Sequence, residues 1–226
     1  LKSEADNKKI AGVISRQLKE IGILHNYAPV LDISPDNAAI KNRSYGYSED
    51  SVKVLAMAFV KESQQNGVAA TVKHFPGHGL VKGDTHSNLV FIDGEMKETA
   101  LYKPFIENGV ISVMVGHIAV KNNAAYNTDG MPASCSEKIV TGLLREEMGF
   151  RGIIITDAMN MGALNKIPNA DFLAVLAGND MILMPGDEDQ IIDQALSKMK
   201  EDEAFRERIY DSVKRIIRLK ICLGEI

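Results

Sequence analysis

Residues 73–86 read Lys73-His74-Phe75-Pro76-Gly77-His78-Gly79-Leu80-Val81-Lys82-Gly83-Asp84-Thr85-His86 and hold three of the chain's five histidines. They follow an apolar run, Val68–Val72, that reads as a buried strand. Pro76, Gly77, Gly79 and Gly83 then break regular structure. A strand that empties into a loop of ionisable groups holds chemistry on a rigid scaffold, which makes an enzyme the leading reading. Asp84 and His86 are two apart and share a face in an extended segment. A carboxylate bonded to one imidazole nitrogen fixes the tautomer and leaves the other nitrogen to exchange a proton. A solvated turn is the plainer reading of Gly83-Asp84 taken alone.

Asp157 closes another apolar run, Ile153-Ile154-Ile155-Thr156. An acid there can attack an electrophilic carbon or take a proton, and it can equally cap a helix. Lys73 closes its strand where a lysine must be paired or reach water. His74 stands beside it and has a core histidine as its plainer reading. Arg43 lies in the loop after a strand that ends at Asp32. His117 ends Ile111–His117 and is a candidate for the site or its immediate support. His74, His78, Asp84 and His86 could also supply zinc ligands, but their spacing in a flexible loop does not match a helical His pair, and no metal is assigned.

The elements that must position these groups alternate. Helical spacing covers 4–21, 49–65, 97–108, 136–148, 170–177, 188–200 and 204–222, with Ser136 as an expected N-cap. Strand-like runs cover 27–33, 68–74, 111–117, 152–157 and 180–184. Continuous apolar strands alternating with amphipathic helices predict a parallel sheet. Asp32, His74, His117 and Asp157 fall at strand C-termini, 42, 43 and 40 residues apart. That edge carries the active site in a (β/α)8 TIM barrel, and ligands in an open doubly wound sheet. No Gly-x-Gly-x-x-Gly follows a strand and no Walker loop is present, which weakens the nucleotide-binding reading. Five strands are expected where a closed barrel needs eight, so three β/α units would have to precede Leu1.

The 226 residues suit one domain, 1–226, with 45% hydrophobic residues to fill a core. A net charge of −4 offers no basic field for nucleic acid. No apolar stretch approaches a membrane span. Cys135 and Cys222 lack metal-like spacing and read as unrelated thiols.

The motifs together resemble glycoside hydrolase family three, in its β-N-acetylglucosaminidase branch. Lys73–Gly79 (KHFPGHG) with Asp84-Thr85-His86 carries the likeness. Ala28-Pro29-Val30-Leu31-Asp32, Asn42-Arg43-Ser44-Tyr45-Gly46, Leu144–Gly152 (LREEMGFRG) and Ile155-Thr156-Asp157-Ala158-Met159 match in order and spacing. The resemblance implies a TIM barrel, a carbohydrate substrate, no cofactor, and a bacterial enzyme of cytoplasm or periplasm that recycles peptidoglycan. It also implies roles: Asp157 as nucleophile, His86 as general acid/base with Asp84 as its partner, and Arg43, Lys73 and His74 as ligands of the sugar. The chain departs from the pattern in two ways. Thr85 stands where serine is expected, and the upstream Asp-x-Glu-Gly-Gly segment is not in the sequence. The chain therefore resembles the last five β/α units of a barrel, expected to expose sheet edges and apolar surface and to lack full activity alone. A β-glucosidase or phosphorylase of the same family, a degenerate sugar-binding barrel and a zinc hydrolase are the alternatives.

Overall fold

The computed structural model describes residues 3–34 and 36–226. Four parallel strands form the main sheet in the order β1 (His25–Asn26), β2 (Ala69–Phe75), β4 (Ser112–Val115) and β6 (Ile153–Thr156). β4 and β6 are buried at every position. Sheets covered by helices on their faces produce this continuous burial, where alternation would mark a solvent face.

Two expected strands are thinner than their sequences suggest. The run 27–33 contributes a single bridge, Val30 to Lys73, beyond β1. Pro29 interrupts it, since proline has no N–H for a ladder. The run 180–184 contributes one bridge, Met181 to Ile155. Here side chains take over ladder positions. The Ile154 N–H donates to Asp180 Oδ2 at 2.8 Å, and the Leu183 N–H donates to Thr156 Oγ1 at 3.0 Å. Among the described residues the main sheet thus has four strands and two isolated bridges, where the sequence predicts five strands. The parallel half-barrel it makes is a TIM-barrel-like α/β arrangement.

A second, two-stranded parallel sheet pairs β3 (Val90–Asp93) with β5 (Ile118–Lys121). Neither strand is anticipated by the sequence reading. Only two residues separate β4 from β5, so the chain leaves the main sheet at Gly116-His117.

The helices α1 (Glu4–Glu20), α2 (Glu49–Gln65), α4 (Ala170–Ala177), α5 (Glu188–Glu201) and α6 (Glu203–Leu223) follow the apolar periodicity closely. Ser3 caps α1 by accepting the Asp6 N–H at 3.1 Å, and Asp202 caps α6 through the Phe205 N–H at 2.9 Å. The expected helix 97–108 is a 3₁₀ turn, Lys97–Leu101, followed by α3 (Tyr102–Glu107). An unbroken helix would place Pro104 in its interior; starting α3 at Tyr102 puts it in the first turn, where its missing N–H has no intrahelical acceptor to lose. The segment 136–148 winds as a π-helix over Lys138–Glu147, and the Ser136 side chain does not cap it.

The main core packs Phe75, Leu101, Tyr102, Phe105, Ile139, Leu144 and Ile154 between sheet and helices. Burying each large apolar side chain contributes about 1.5–3 kcal/mol. Ile10 and Val13 on α1, and Ile192, Leu196, Tyr210, Val213, Ile217 and Ile221 on α5 and α6, stay exposed. None of the described helices is long and apolar enough to cross a membrane.

Candidate active site

The main sheet brings Asp32, His74 and Asp157 to one edge. Asp32 lies two residues past the Val30 bridge, His74 is in β2, and Asp157 follows β6, its N–H donating to Val115 O at 2.9 Å. The pairing of β2 with β4 shifts register between Val72 and Phe75. Adjoining side chains need not alternate faces at such an irregularity. Lys73 and His74 accordingly line the same cavity, and the peptide between them is cis. That cavity, of about 60 Å³, is also lined by Arg43, His78, Thr85, His86 and Asp157.

Asp32 is the buried foundation, 1% exposed. Its Oδ2 accepts a hydrogen bond from His74 Nδ1 at 2.6 Å, and its Oδ1 accepts the His78 N–H at 2.7 Å. Burial alone raises a carboxyl, but the His74 charge, the His74 ring bond and the His78 N–H outweigh it and hold Asp32 below its ordinary value. The sequence marks Asp32 as a strand end without giving it this task. Pinned through Nδ1, His74 presents Nε2 at 3.9 Å from Asp157 Oδ2.

Asp157 Oδ1 accepts the Ala158 N–H at 2.8 Å. Burial pushes its carboxyl up; His74, then His117, the Ala158 N–H and Lys73 together bring it below the ordinary value. An ionised carboxylate with one oxygen facing a cavity is a competent nucleophile. Burial pulls the Lys73 ammonium down, Asp157 draws it back up, and Arg43 lowers it again. Arg43 is steadied by donating from Nη2 to Ala39 O at 2.7 Å.

The Asp84–His86 pair forms as the spacing suggests. His86 Nδ1 meets Asp84 Oδ1 at 2.6 Å, and the His86 N–H donates to the same oxygen at 2.9 Å. The backbone N–H of His86 is the largest cause of the lowered Asp84 carboxyl; burial, the next largest, opposes it, and the His86 ring then adds to the lowering. The pair is far more open than the floor: the side chains are 59% and 35% exposed for His86 and Asp84. Thr85 between them is buried, and its hydroxyl meets His78 Nε2 at 3.0 Å. His78, weighed from sequence only as a metal ligand, therefore grips the loop.

His117 does not line this cavity. It is fully buried, with Nε2 donating to Ala158 O at 2.9 Å and Nδ1 at 2.7 Å from Ser134 Oγ. Burial pulls the ring down, favouring the neutral form. The bond to Ala158 makes His117 a support for the turn after Asp157. Among the described residues no three His, Cys, Asp or Glu side chains converge as a metal site.

The glycosyl hydrolase family 3 N terminal domain matches residues 2–219. The chain belongs to this family. It is 31% identical to the beta-hexosaminidase A of Pseudoalteromonas piscicida over 96% of the chain. It is 29% identical to the beta-N-acetylglucosaminidase/beta-glucosidase of Cellulomonas fimi, again over 96% of the chain. The chain spans 41% of the length of each of these relatives. A solved family 3 beta-N-acetylglucosaminidase from Paenibacillus sp. str. FPU-7 superposes with a TM-score of 0.86 and 33% identity, covering 98% of this chain and 44% of that one.

In this family 3 domain the glycines of the Pro76-Gly77-His78-Gly79 turn have a steric reason. A Cβ on Gly79 would stand 2.6 Å from Glu98 Oε1, and one on Gly77 would strike the Glu98 side chain. Gly162, five residues past Asp157, is equally constrained. Its N–H donates to His86 O at 3.1 Å, and a Cβ there would lie 2.6 Å from that oxygen. The Ala163 N–H donates to Thr85 O at 3.1 Å. The loop with His86 is thereby latched to the loop with Asp157.

Proposed function

We propose that this chain carries the catalytic site of a retaining glycoside hydrolase that removes terminal β-linked N-acetylglucosamine. The observation that carries the reading is one cavity walled by an ionised Asp157 and by His86 paired with Asp84. Asp157 attacks the anomeric carbon as the bond from that carbon to the leaving oxygen breaks. His86, protonated at Nε2, gives its proton to the leaving oxygen. Water then attacks the same carbon, His86 takes a proton from it, and the carbon–Asp157 bond breaks. An imidazole in place of the usual second carboxyl adds no like charge beside Asp157. Arg43, Lys73 and His74 hold the sugar's hydroxyls and N-acetyl group, and His117 positions the turn that bears Asp157. Residues 1–226 act as one domain, part of an eight-stranded β/α barrel to which five units belong. Family membership and the beta-hexosaminidase relative support the sugar assignment. The Cellulomonas relative's double designation keeps β-glucosides as a second substrate class.

The test is to trap the intermediate with a fluorinated N-acetylglucosamine donor and map it by mass spectrometry. One glycosyl group on the peptide containing Asp157, absent from Asp157→Asn, is expected. A modified residue elsewhere, or no adduct from a chain that hydrolyses the sugar, overturns the reading. Release of N-acetylglucosamine 1-phosphate on adding phosphate would instead assign a phosphorylase.

A further inference from the structure

The proposed reaction leaves one buried carboxylate near the site without a part. Glu98, in the 3₁₀ turn Lys97–Leu101, is 4% exposed. Its Oε1 accepts the Ile33 N–H at 2.7 Å, its Oε2 the Leu80 N–H at 3.1 Å, and the Gly79 N–H also points to it. Asn37 holds the same turn from the other side. Its Nδ2 donates to the carbonyls of His78, Gly79 and Val81 at 2.9, 3.2 and 2.7 Å. The turn over residues 77–81 is therefore clamped by its amides on Glu98 and by its carbonyls on Asn37. It links His74 and His78, anchored on Asp32, to Asp84 and His86, and His86 lines the cavity with Asp157.

We propose that Glu98 is a positioning residue for glycosyl transfer: its carboxylate fixes the 77–81 turn and so sets where the Asp84–His86 pair stands over Asp157. This rests on the assignment of His86 as the acid/base. Asp32 has supports that do not involve Glu98. The Leu31 N–H donates to Lys73 O at 2.7 Å, and Ser44 Oγ donates to Asp32 O at 2.8 Å. Loss of the Glu98 charge thus loosens the turn and leaves the floor in place. Burial and the neighbouring Asp32 push the Glu98 carboxyl up to about 7. Holding a charge there is unfavourable for the fold, as expected of a group kept for the site it arranges.

The test compares Glu98→Gln with the wild type, each in the full chain, on two β-N-acetylglucosaminides. One has a dinitrophenyl leaving group, which departs without a proton. The other has an alkyl leaving group, which needs the proton from His86. We expect kcat/KM for the alkyl substrate to fall at least tenfold and that for the dinitrophenyl substrate less than threefold. Amide hydrogen exchange over 77–87 should quicken at least tenfold, with β4 and β6 unchanged. Equal losses on both substrates, no loss, or unchanged exchange in the turn overturns the proposal. If the wild type hydrolyses neither substrate, the exchange result alone decides whether Glu98 fixes the turn. Glu98→Asp, charged but one methylene short, carries the same readouts if the Gln variant does not fold.

Discussion

Glu98 is an unfavourable charge, and pH reads out how unfavourable. In the folded chain its carboxyl is pushed from the ordinary 4.5 up to about 7, first by burial and then by Asp32; the N–H groups of Ile33, Leu80 and Gly79 oppose them in part. In the unfolded chain it titrates at its ordinary value. At 1.36 kcal/mol per pKa unit, the difference is about 3 kcal/mol. The sign follows from counting protons. Below pH 4.5 the group is protonated in both states and neither is favoured. Between 4.5 and 7 the folded chain keeps a proton that the unfolded chain has lost, so stability falls as pH rises. Above 7 the full penalty applies. Glu98→Gln abolishes this titration but turns an amide group toward N–H donors, costing about 1–3 kcal/mol at every pH. The wild type should therefore be the more stable near pH 4.5, and by pH 8 that advantage should be gone or reversed. Urea unfolding at half-unit steps measures the gap, which should change by about 3 kcal/mol. Two titratable groups face Glu98, and neither crosses the window: Asp32 is held below its ordinary value, and Tyr102 is pushed well above 10. A gap constant to within about 1 kcal/mol from pH 4.5 to 8 would refute the reasoning.

Gly162→Ala places a methyl 2.6 Å from His86 O. Hydrolysis of unactivated substrates should fall about tenfold, equivalent to about 1.4 kcal/mol in the barrier, with the loss in kcat and no rise in KM; an unchanged kcat would sink the latch. Asp180 is fully buried at its side chain between Arg145 Nη2 at 2.6 Å and Arg215 Nη1 at 2.9 Å. Asp180→Ala should cost about 3 kcal/mol in urea unfolding, the low end for a broken buried pair because Arg215 keeps some contact with water.

Three of the strand ends gathered at one edge of the sheet, Asp32, His74 and Asp157, are legible because each falls at the end of an apolar run. His117 closes one too, yet points inward, and periodicity does not distinguish the cases. The chain turns at Gly116, where a Cβ would stand 3.2 Å from the His74 Cβ, and enters β5. Glu98 is illegible for a different reason. Between Lys97 and Thr99 it reads as the wet face of a helix, and its burial is decided by a turn almost twenty residues upstream that folds back onto it. The β3–β5 pair has the same origin: four-residue strands, far apart in sequence, with no local signal for partner or register. Asp180 looks like the start of a strand, but its side chain takes the ladder position that a backbone carbonyl would fill.

The two halves of the site are held with unequal strength, which says which of them yields first. The floor cannot yield cheaply, since Asp32 and His74 are almost wholly buried and share a 2.6 Å bond. The roof can. It is held by the Gly162 and Ala163 N–H groups and by the His78–Thr85 contact, and its His86 side chain is mostly in water. Three such bonds at about 1 kcal/mol each amount to about 3 kcal/mol, a closed-to-open ratio on the order of 100. A substrate that binds only the open form sees its affinity reduced by that factor, and one that is re-covered by the roof recovers it. Weakening the latch therefore eases binding while it misplaces the proton donor, which is why Gly162→Ala is expected to act on kcat without raising KM.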